Sequence, residues 1–159
     1  MRVVDIMMGT PYFCSPEANL GVAAELMWKG DCGFLPVVDR SAKIVGVVTD
    51  RDICIALGTR GRLPSEVTVG EVMTSRVHLC VPEDDIHEAL REMREGHVRR
   101  LPVVTKNGAL VGVISIDDVI LHARSEGLGR VAELTTEEVL RTLQALNVRQ
   151  LPQARSAAA

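Results

Sequence analysis

The chain repeats itself at an offset of 66 residues (118 − 52), without a gap. Leu35-Pro36-Val37-Val38 lies on Leu101-Pro102-Val103-Val104, and Val45-Gly46-Val47 lies on Val111-Gly112-Val113. Met7 falls on Met73, and Cys14, Pro16 and Glu17 fall on Cys80, Pro82 and Glu83. A register this long means an internal duplication, and the fold must be built from two like units.

Each copy has the same local pattern. After Pro16 or Pro82, placed to suit a first helical position, Leu20, Ala23, Ala24 and Met27 recur at helical spacing, as do Ile86, Ala89, Leu90 and Met93. These helices are expected over about 17–29 and 83–95, with Gly30 and Gly96 ending them. Two β-branched runs follow, 35–38 and 44–48, matched by 101–104 and 110–114. Lys106-Asn107-Gly108 is a hairpin signal between the second pair. A further helix opens at Thr49 or Ser115. One βαββα unit has a single apolar sheet face to bury, so the two copies are expected to pack sheet on sheet and share a core. Residues 58–65, rich in Gly, Arg and Pro, form the linker. Thr135-Thr136-Glu137-Glu138 has the form of a capping box, opening one more helix over about 136–146. Its Val139, Leu140, Leu143 and Leu146 need a surface to cover. Residues 155–159 are expected to be an unstructured tail.

The organisation expected is therefore an α/β chain with three parts. These are a first domain over 1–60, a second over 67–124, and a C-terminal helical extension over 133–148. The two repeats should be related by an approximate two-fold axis.

Composition narrows the function. A formal net charge of −3 and an aromatic content of 3% argue against nucleic acid as the main partner, since phosphate neutralisation and base stacking both lack their residues. No apolar run approaches the ~20 residues of a membrane span, and Met1-Arg2-Val3-Val4-Asp5 does not open like a signal peptide. A cytoplasmic location is expected. Cys14, Cys32, Cys54 and Cys80 show neither Cys-x-x-Cys nor zinc-finger spacing with a His. They read as small buried apolar residues rather than disulfides or metal ligands. No Gly-x-Ser-x-Gly elbow, P-loop or nucleophile with its base stands out, so no catalytic site is assigned.

The segment Gly46-Val47-Val48-Thr49-Asp50-Arg51-Asp52 and its match Gly112-Val113-Ile114-Ser115-Ile116-Asp117-Asp118 resemble the nucleotide-binding signature of cystathionine-β-synthase (CBS) domains. The Leu-Pro-Val-Val segments and the Asp-Ile-Met and Glu-Val-Met openings at residues 5–7 and 71–73 fit the same family. The likeness covers about residues 3–124 and is closest in kind to single-module bacterial members without a catalytic domain. It implies a regulatory module, not an enzyme, with no required cofactor. The implied ligands are AMP, ADP, ATP or S-adenosylmethionine, bound in clefts between the repeats. It also implies a flat homodimer in which apolar helix faces of the two protomers meet.

The resemblance assigns Asp52 and Asp118 to the ribose hydroxyls and Thr49 and Ser115 to the phosphate. A carboxylate can take two O–H donors, and a helix start offers free N–H groups to an anion. The same Thr-x-x-Asp spacing is also a plain helix cap, and the two roles are compatible. Arg99 and Arg100 precede the second Leu-Pro, where family members hold phosphate; Gly33 and Phe34 stand at those positions in the first copy. On this reading the Ser115/Asp118 cleft is the phosphate-competent one, its purine lying near Cys32 and Gly33, while the Thr49/Asp52 cleft takes a less charged ligand or none. The other reading of Arg99 and Arg100 is a solvated basic spot on a strand edge. A functional alternative keeps the fold without the ligand, the chain regulating a partner enzyme or transporter by docking.

Overall fold

The structure, a computed structural model, describes residues 1–124 and 133–148. Its first copy runs α1 (Leu20–Lys29), β1 (Phe34–Val38), β2 (Ile44–Thr49) and α2 (Asp50–Arg60). The second runs α3 (Ile86–Gly96), β3 (Arg100–Val104), β4 (Leu110–Ser115) and α4 (Ile116–His122), and α5 (Thr136–Asn147) follows. The leading β of each unit is a single parallel bridge, Cys14 to Val37 and Cys80 to Val103. The tail expected at 155–159 lies outside the described residues.

The two hairpins agree residue for residue. Phe34 faces Thr49 and Arg100 faces Ser115, and both registers slip at the same place, between Val37 and Val38 and between Val103 and Val104. The turn needs a left-handed residue, which Gly108 supplies at φ 81° and Ala42 at φ 58°. In the first copy Asp39 steadies the turn, its Oδ1 accepting from Ser41 N at 2.8 Å and Lys43 N at 3.0 Å.

The helix starts correct the sequence reading. Pro16 and Pro82 lie in turns, and α1 and α3 begin at Leu20 and Ile86. The caps are Asn19, whose side chain accepts from Val22 N, and Asp85, which accepts from His87 N; a side-chain acceptor satisfies a free helix N–H, which proline cannot do. At the other ends the left-handed residues are Asp31 (φ 46°) and His97 (φ 50°), one past each expected glycine. Helix α2 continues through Gly58 to Arg60 before Gly61 turns left-handed, so the linker starts later than its composition suggests.

One core shared between the sheets is not what forms. The buried apolar residues fall into two clusters, one around Leu20, Leu35 and Val48 and one around Ile86, Leu101 and Ile114. What the copies share is their leading segments. Met8 pairs with Val113 on β4, and Thr74 pairs with Val47 on β2. Each copy thus lends an edge strand to the other's hairpin. The glycines beneath make that possible: a Cβ on Gly46 would lie 2.7 Å from Met73 Sδ, and one on Gly112 would lie 2.8 Å from Met8 O. The hairpin tips also meet, Ile44 N donating to Gly108 O and Leu110 N to Ala42 O, each at 3.2 Å.

Helix α5 finds its surface on α3 and α4. Val139 is buried there and Leu143 and Leu146 partly so, while Leu140 stays exposed. Arg94 donates to Thr142 Oγ1 at 2.8 Å, which fixes the crossing.

Candidate functional site

Two cavities lie where the copies meet, each at the start of a helix that follows a hairpin. In the first, Thr49 caps α2 and Asp52 reaches back. Asp52 Oδ2 accepts from Thr49 N at 2.9 Å and from Thr49 Oγ1 at 2.7 Å, while Thr49 Oγ1 accepts from Asp52 N at 3.2 Å. Ser115 and Asp118 repeat the arrangement on α4 at 2.8, 2.6 and 3.2 Å. The capping box is therefore complete in both copies. It uses only Oδ2: the other carboxylate oxygen of each Asp takes no hydrogen bond among the described residues. A half-buried carboxylate held rigid by its cap, with one oxygen free, is a prepared acceptor for hydroxyl donors.

The walls come from the opposite copy, and here the cavities diverge. Around Thr49 and Asp52 is a space of about 460 Å³, closed by Arg76, Val77 and His78 and by His97, Arg99 and Arg100. Around Ser115 and Asp118 is a smaller space of about 140 Å³, closed by Pro11, Tyr12, Asp31, Cys32, Phe34 and Arg100. The positions 66 residues before Arg76, His78, His97 and Arg99 hold Thr10, Tyr12, Asp31 and Gly33, and of these Tyr12 and Asp31 line the smaller cavity. A basic wall stands opposite one carboxylate and a nearly neutral one opposite its match.

This reverses the expected placement of the arginines. Arg99 lines the Thr49/Asp52 cavity and not its own copy's cleft. Arg100 reaches both cavities, but its guanidinium stands 3.6 Å from Asp117. The cause is the crossing of the chain between copies, so that a strand opening serves the neighbouring copy's helix start. Cys32 lies in the Ser115/Asp118 cavity, where the sequence reading put it, but Gly33 lies in the other. Asp50 explains the glycine: its backbone N donates to Gly33 O at 3.1 Å, and a Cβ there would come within 2.5 Å of Asp50 Oδ2.

Arg76, His78 and Tyr12 escaped the sequence reading. A signal was present, since Tyr12 and His78 are 66 apart, as are Gly30 and Gly96. Each ring rests on its matched glycine, a Cβ on either of which would meet the ring at 2.7 Å. His78 is further held by Glu92, Nδ1 to Oε1 at 2.6 Å.

The cysteines divide. Cys14 and Cys80 are buried as expected, and burial raises their thiols to about 11 and about 12. Cys32 is half-buried and Cys54 exposed, so the buried reading fails for those two. Among the described residues no group of three or more His, Cys, Asp or Glu is placed to hold a metal ion, and no helix is long and apolar enough to cross a membrane.

Comparison with known proteins agrees with this geometry. CBS domain-containing protein YhcV of Bacillus subtilis is 32% identical over 123 residues, 77% of this chain and 86% of its own. A homoserine O-acetyltransferase of Methanosphaera stadtmanae is 32% identical over 114 residues, 72% of this chain, and the chain spans 22% of that enzyme's length. The CBS domain pair of protein MJ0100, solved with 5′-methylthioadenosine and S-adenosyl-L-methionine, superposes with a TM-score of 0.68 at 26% identity, over 75% of this chain and 92% of that one. CBSX2 in complex with AMP superposes with a TM-score of 0.66 at 29% identity, over 76% and 93%. The family model for the CBS domain matches twice, at residues 3–59 and 69–125. With two matched repeats, two capped carboxylates and exchanged edge strands, the chain belongs to the CBS domain family as a tandem pair.

Proposed function

We propose that the chain is a regulatory module that binds adenosine-containing ligands between its repeats, with the phosphate-bearing ligand in the Thr49/Asp52 cavity. The observation that carries this reading is the meeting of Asp52 with Arg76 and Arg99 in one space of about 460 Å³. Asp52 Oδ1 takes ribose hydroxyls, while the guanidiniums face the phosphates, whose geometry suits their planar forks. The start of α2 adds to this, since an 11-residue helix brings unpaired N–H groups and a positive dipole end to the same place. The ligands named for MJ0100 and CBSX2 support an adenosine ligand for this chain too.

The Ser115/Asp118 cavity suits a less charged ligand. Its space is smaller, its helix has 7 residues, and Arg100 is shared with Asp117. Tyr12 offers a face for a base there. Ligand in either cavity touches both copies, so occupancy changes the angle between them only to the extent that it binds one angle more tightly.

Calorimetric titration with AMP, ATP, adenosine and S-adenosylmethionine tests the proposal. AMP or ATP is expected to bind with an affinity that falls as salt rises and drops at least about tenfold in Asp52→Ala. If every nucleotide fails both to release heat and to raise the melting temperature, the chain is a docking protein that keeps the fold alone. A ligand at ~100 times its Kd adds ~2.7 kcal/mol, too large a gain to miss.

A further inference from the structure

Arg100 opens β3 directly opposite Ser115, as Phe34 opens β1 opposite Thr49. Both residues line both cavities, so the crossing of the copies makes this position a wall shared by the two sites. Only the second copy places a charge on it. The cavities depend on that charge unequally. Without Arg100 the Thr49/Asp52 cavity still has Arg51, Arg76 and Arg99 against Asp50 and Asp52. The Ser115/Asp118 cavity would have no cationic side chain among its lining residues, only the carboxylates of Asp31 and Asp118.

We propose that Arg100 couples the two cavities: phosphate bound beside Asp52 draws its guanidinium away from Asp117, and the Ser115/Asp118 cavity then takes a nucleoside whose 5′ group is a cation. The inference rests on nucleoside binding in both cavities as proposed above, and adds that filling one sets the charge preference of the other. Binding free energies are reciprocal, so the cationic nucleoside strengthens AMP binding by the same factor. Two phosphate-bearing ligands on one chain compete for one guanidinium, so a second AMP binds more weakly than the first.

The guanidinium is held loosely where it stands. Its ion pair with Asp117 spans 3.6 Å and Asp117 is 61% exposed, so the pair contributes little. A phosphate engages the planar fork at two points, in a cavity whose other arginines already favour an anion. Departure of the guanidinium reverses the charge of the second cavity. Asp31 makes no ion pair among the described residues, and Asp118 keeps Oδ1 free of its cap. Tyr12 and Phe34 add ring faces, which attract a cation. The first ligand thus discriminates between two placements of Arg100, as a coupled equilibrium requires.

Tyr12 is the chain's single tyrosine and lines the second cavity but not the first. Nuclear magnetic resonance of the whole chain with isotope-labelled tyrosine therefore reports that cavity. 5′-Amino-5′-deoxyadenosine and adenosine, which differ by one charge at the 5′ carbon, are titrated with and without saturating AMP. AMP is expected to raise the affinity of the amino nucleoside at least about fivefold and to change that of adenosine less than about twofold. Arg100→Met, with Arg100→Gln as a second replacement, should bind the amino nucleoside without AMP about as tightly as the parent binds it with AMP. Loss of packing would weaken the ligand instead. The proposal is overturned if AMP leaves the parent's affinity for the amino nucleoside unchanged or lowers it, a result that needs no variant. It is equally overturned if that nucleoside fails to shift the Tyr12 signals, or binds more weakly to Arg100→Met. Calorimetry on the parent separates the causes: heat from AMP without coupling removes the role of Arg100 alone, and no heat from any nucleotide removes the binding reading as well.

Discussion

The two copies keep one backbone and carry two sets of walls. Their strand registers, bulge positions and capping boxes coincide after a shift of 66 residues. Their cavities do not: Arg76, His78, His97 and Arg99 line the Asp52 cavity, while of the matched Thr10, Tyr12, Asp31 and Gly33 only Tyr12 and Asp31 line that of Asp118. The helix faces have also parted, Leu90 lying under α5 while Ala24 stands open. Duplication supplied the frame twice. The walls differ through side chains that take no part in the strand pairing or the capping boxes.

The largest contrast should be in stability. Leu90→Ala leaves a hole under α5 and should cost about 2–5 kcal/mol, on the order of 10 °C in melting temperature at this chain length. Ala24→Gly removes a methyl from an open face in the same place and should cost about 1 kcal/mol, mostly through helix propensity. Equal losses in thermal unfolding would mean that α5 does not cover the second copy in solution.

Next comes the contrast between carboxylates. Asp52→Ala removes an acceptor for both ribose hydroxyls, at about 1.5–3 kcal/mol for each bond to a charged group. AMP affinity should therefore fall at least about tenfold. Asp118→Ala should change AMP binding less and adenosine binding more. Calorimetry on both variants with both ligands decides it, and the opposite ranking would return the phosphate to the Ser115/Asp118 cleft.

A smaller effect is expected at the wall. Arg99→Ala should weaken AMP severalfold, leave adenosine almost unchanged, and flatten the salt dependence, since one screened charge contact is gone. An equal loss for adenosine would make Arg99 a packing residue of the cavity.

How much of this was legible beforehand follows from the range of each interaction. The hairpins and the three Thr/Ser capping boxes depend on residues within a few positions of one another, and the repeat on one constant offset, so pattern alone shows them. The start of α1 was misplaced because a proline signal was read where the competing cap, Asn19, satisfies a donor. The allocation of Arg99 was beyond local reading, because it depends on which hairpin receives which edge strand. Thr49, Ser115 and Thr135 make the point together. All three cap a helix with an acid three residues on, yet only two stand at a cleft between copies. The motif specifies the cap; the crossing of the leading segments makes the cleft.

The smallest predicted effect separates the copies by acid. Glu138 belongs to α5 and has no counterpart on the first copy's helix face. Its carboxylate accepts from Thr135 N at 3.0 Å and Thr135 Oγ1 at 2.9 Å, with His87 at 3.1 Å across on α3 and Asp85 beyond that ring at 2.5 Å. The backbone hydrogen bond from Thr135 holds the carboxyl of Glu138 below its ordinary value, aided by the Thr135 hydroxyl and the charge of His87. A carboxyl depressed in the folded state stabilises it at neutral pH, and that contribution is lost as pH falls through the folded-state value. The group is partly exposed, so solvent screening keeps the gain below about 1 kcal/mol. Glu138→Gln, which retains a capping acceptor but no charge, should melt slightly below the parent at pH 7. The gap should close in acid, under the usual carboxyl range of about 4. A gap that persists there would mean that the side chain's packing, and not its charge, holds α5 to the second copy.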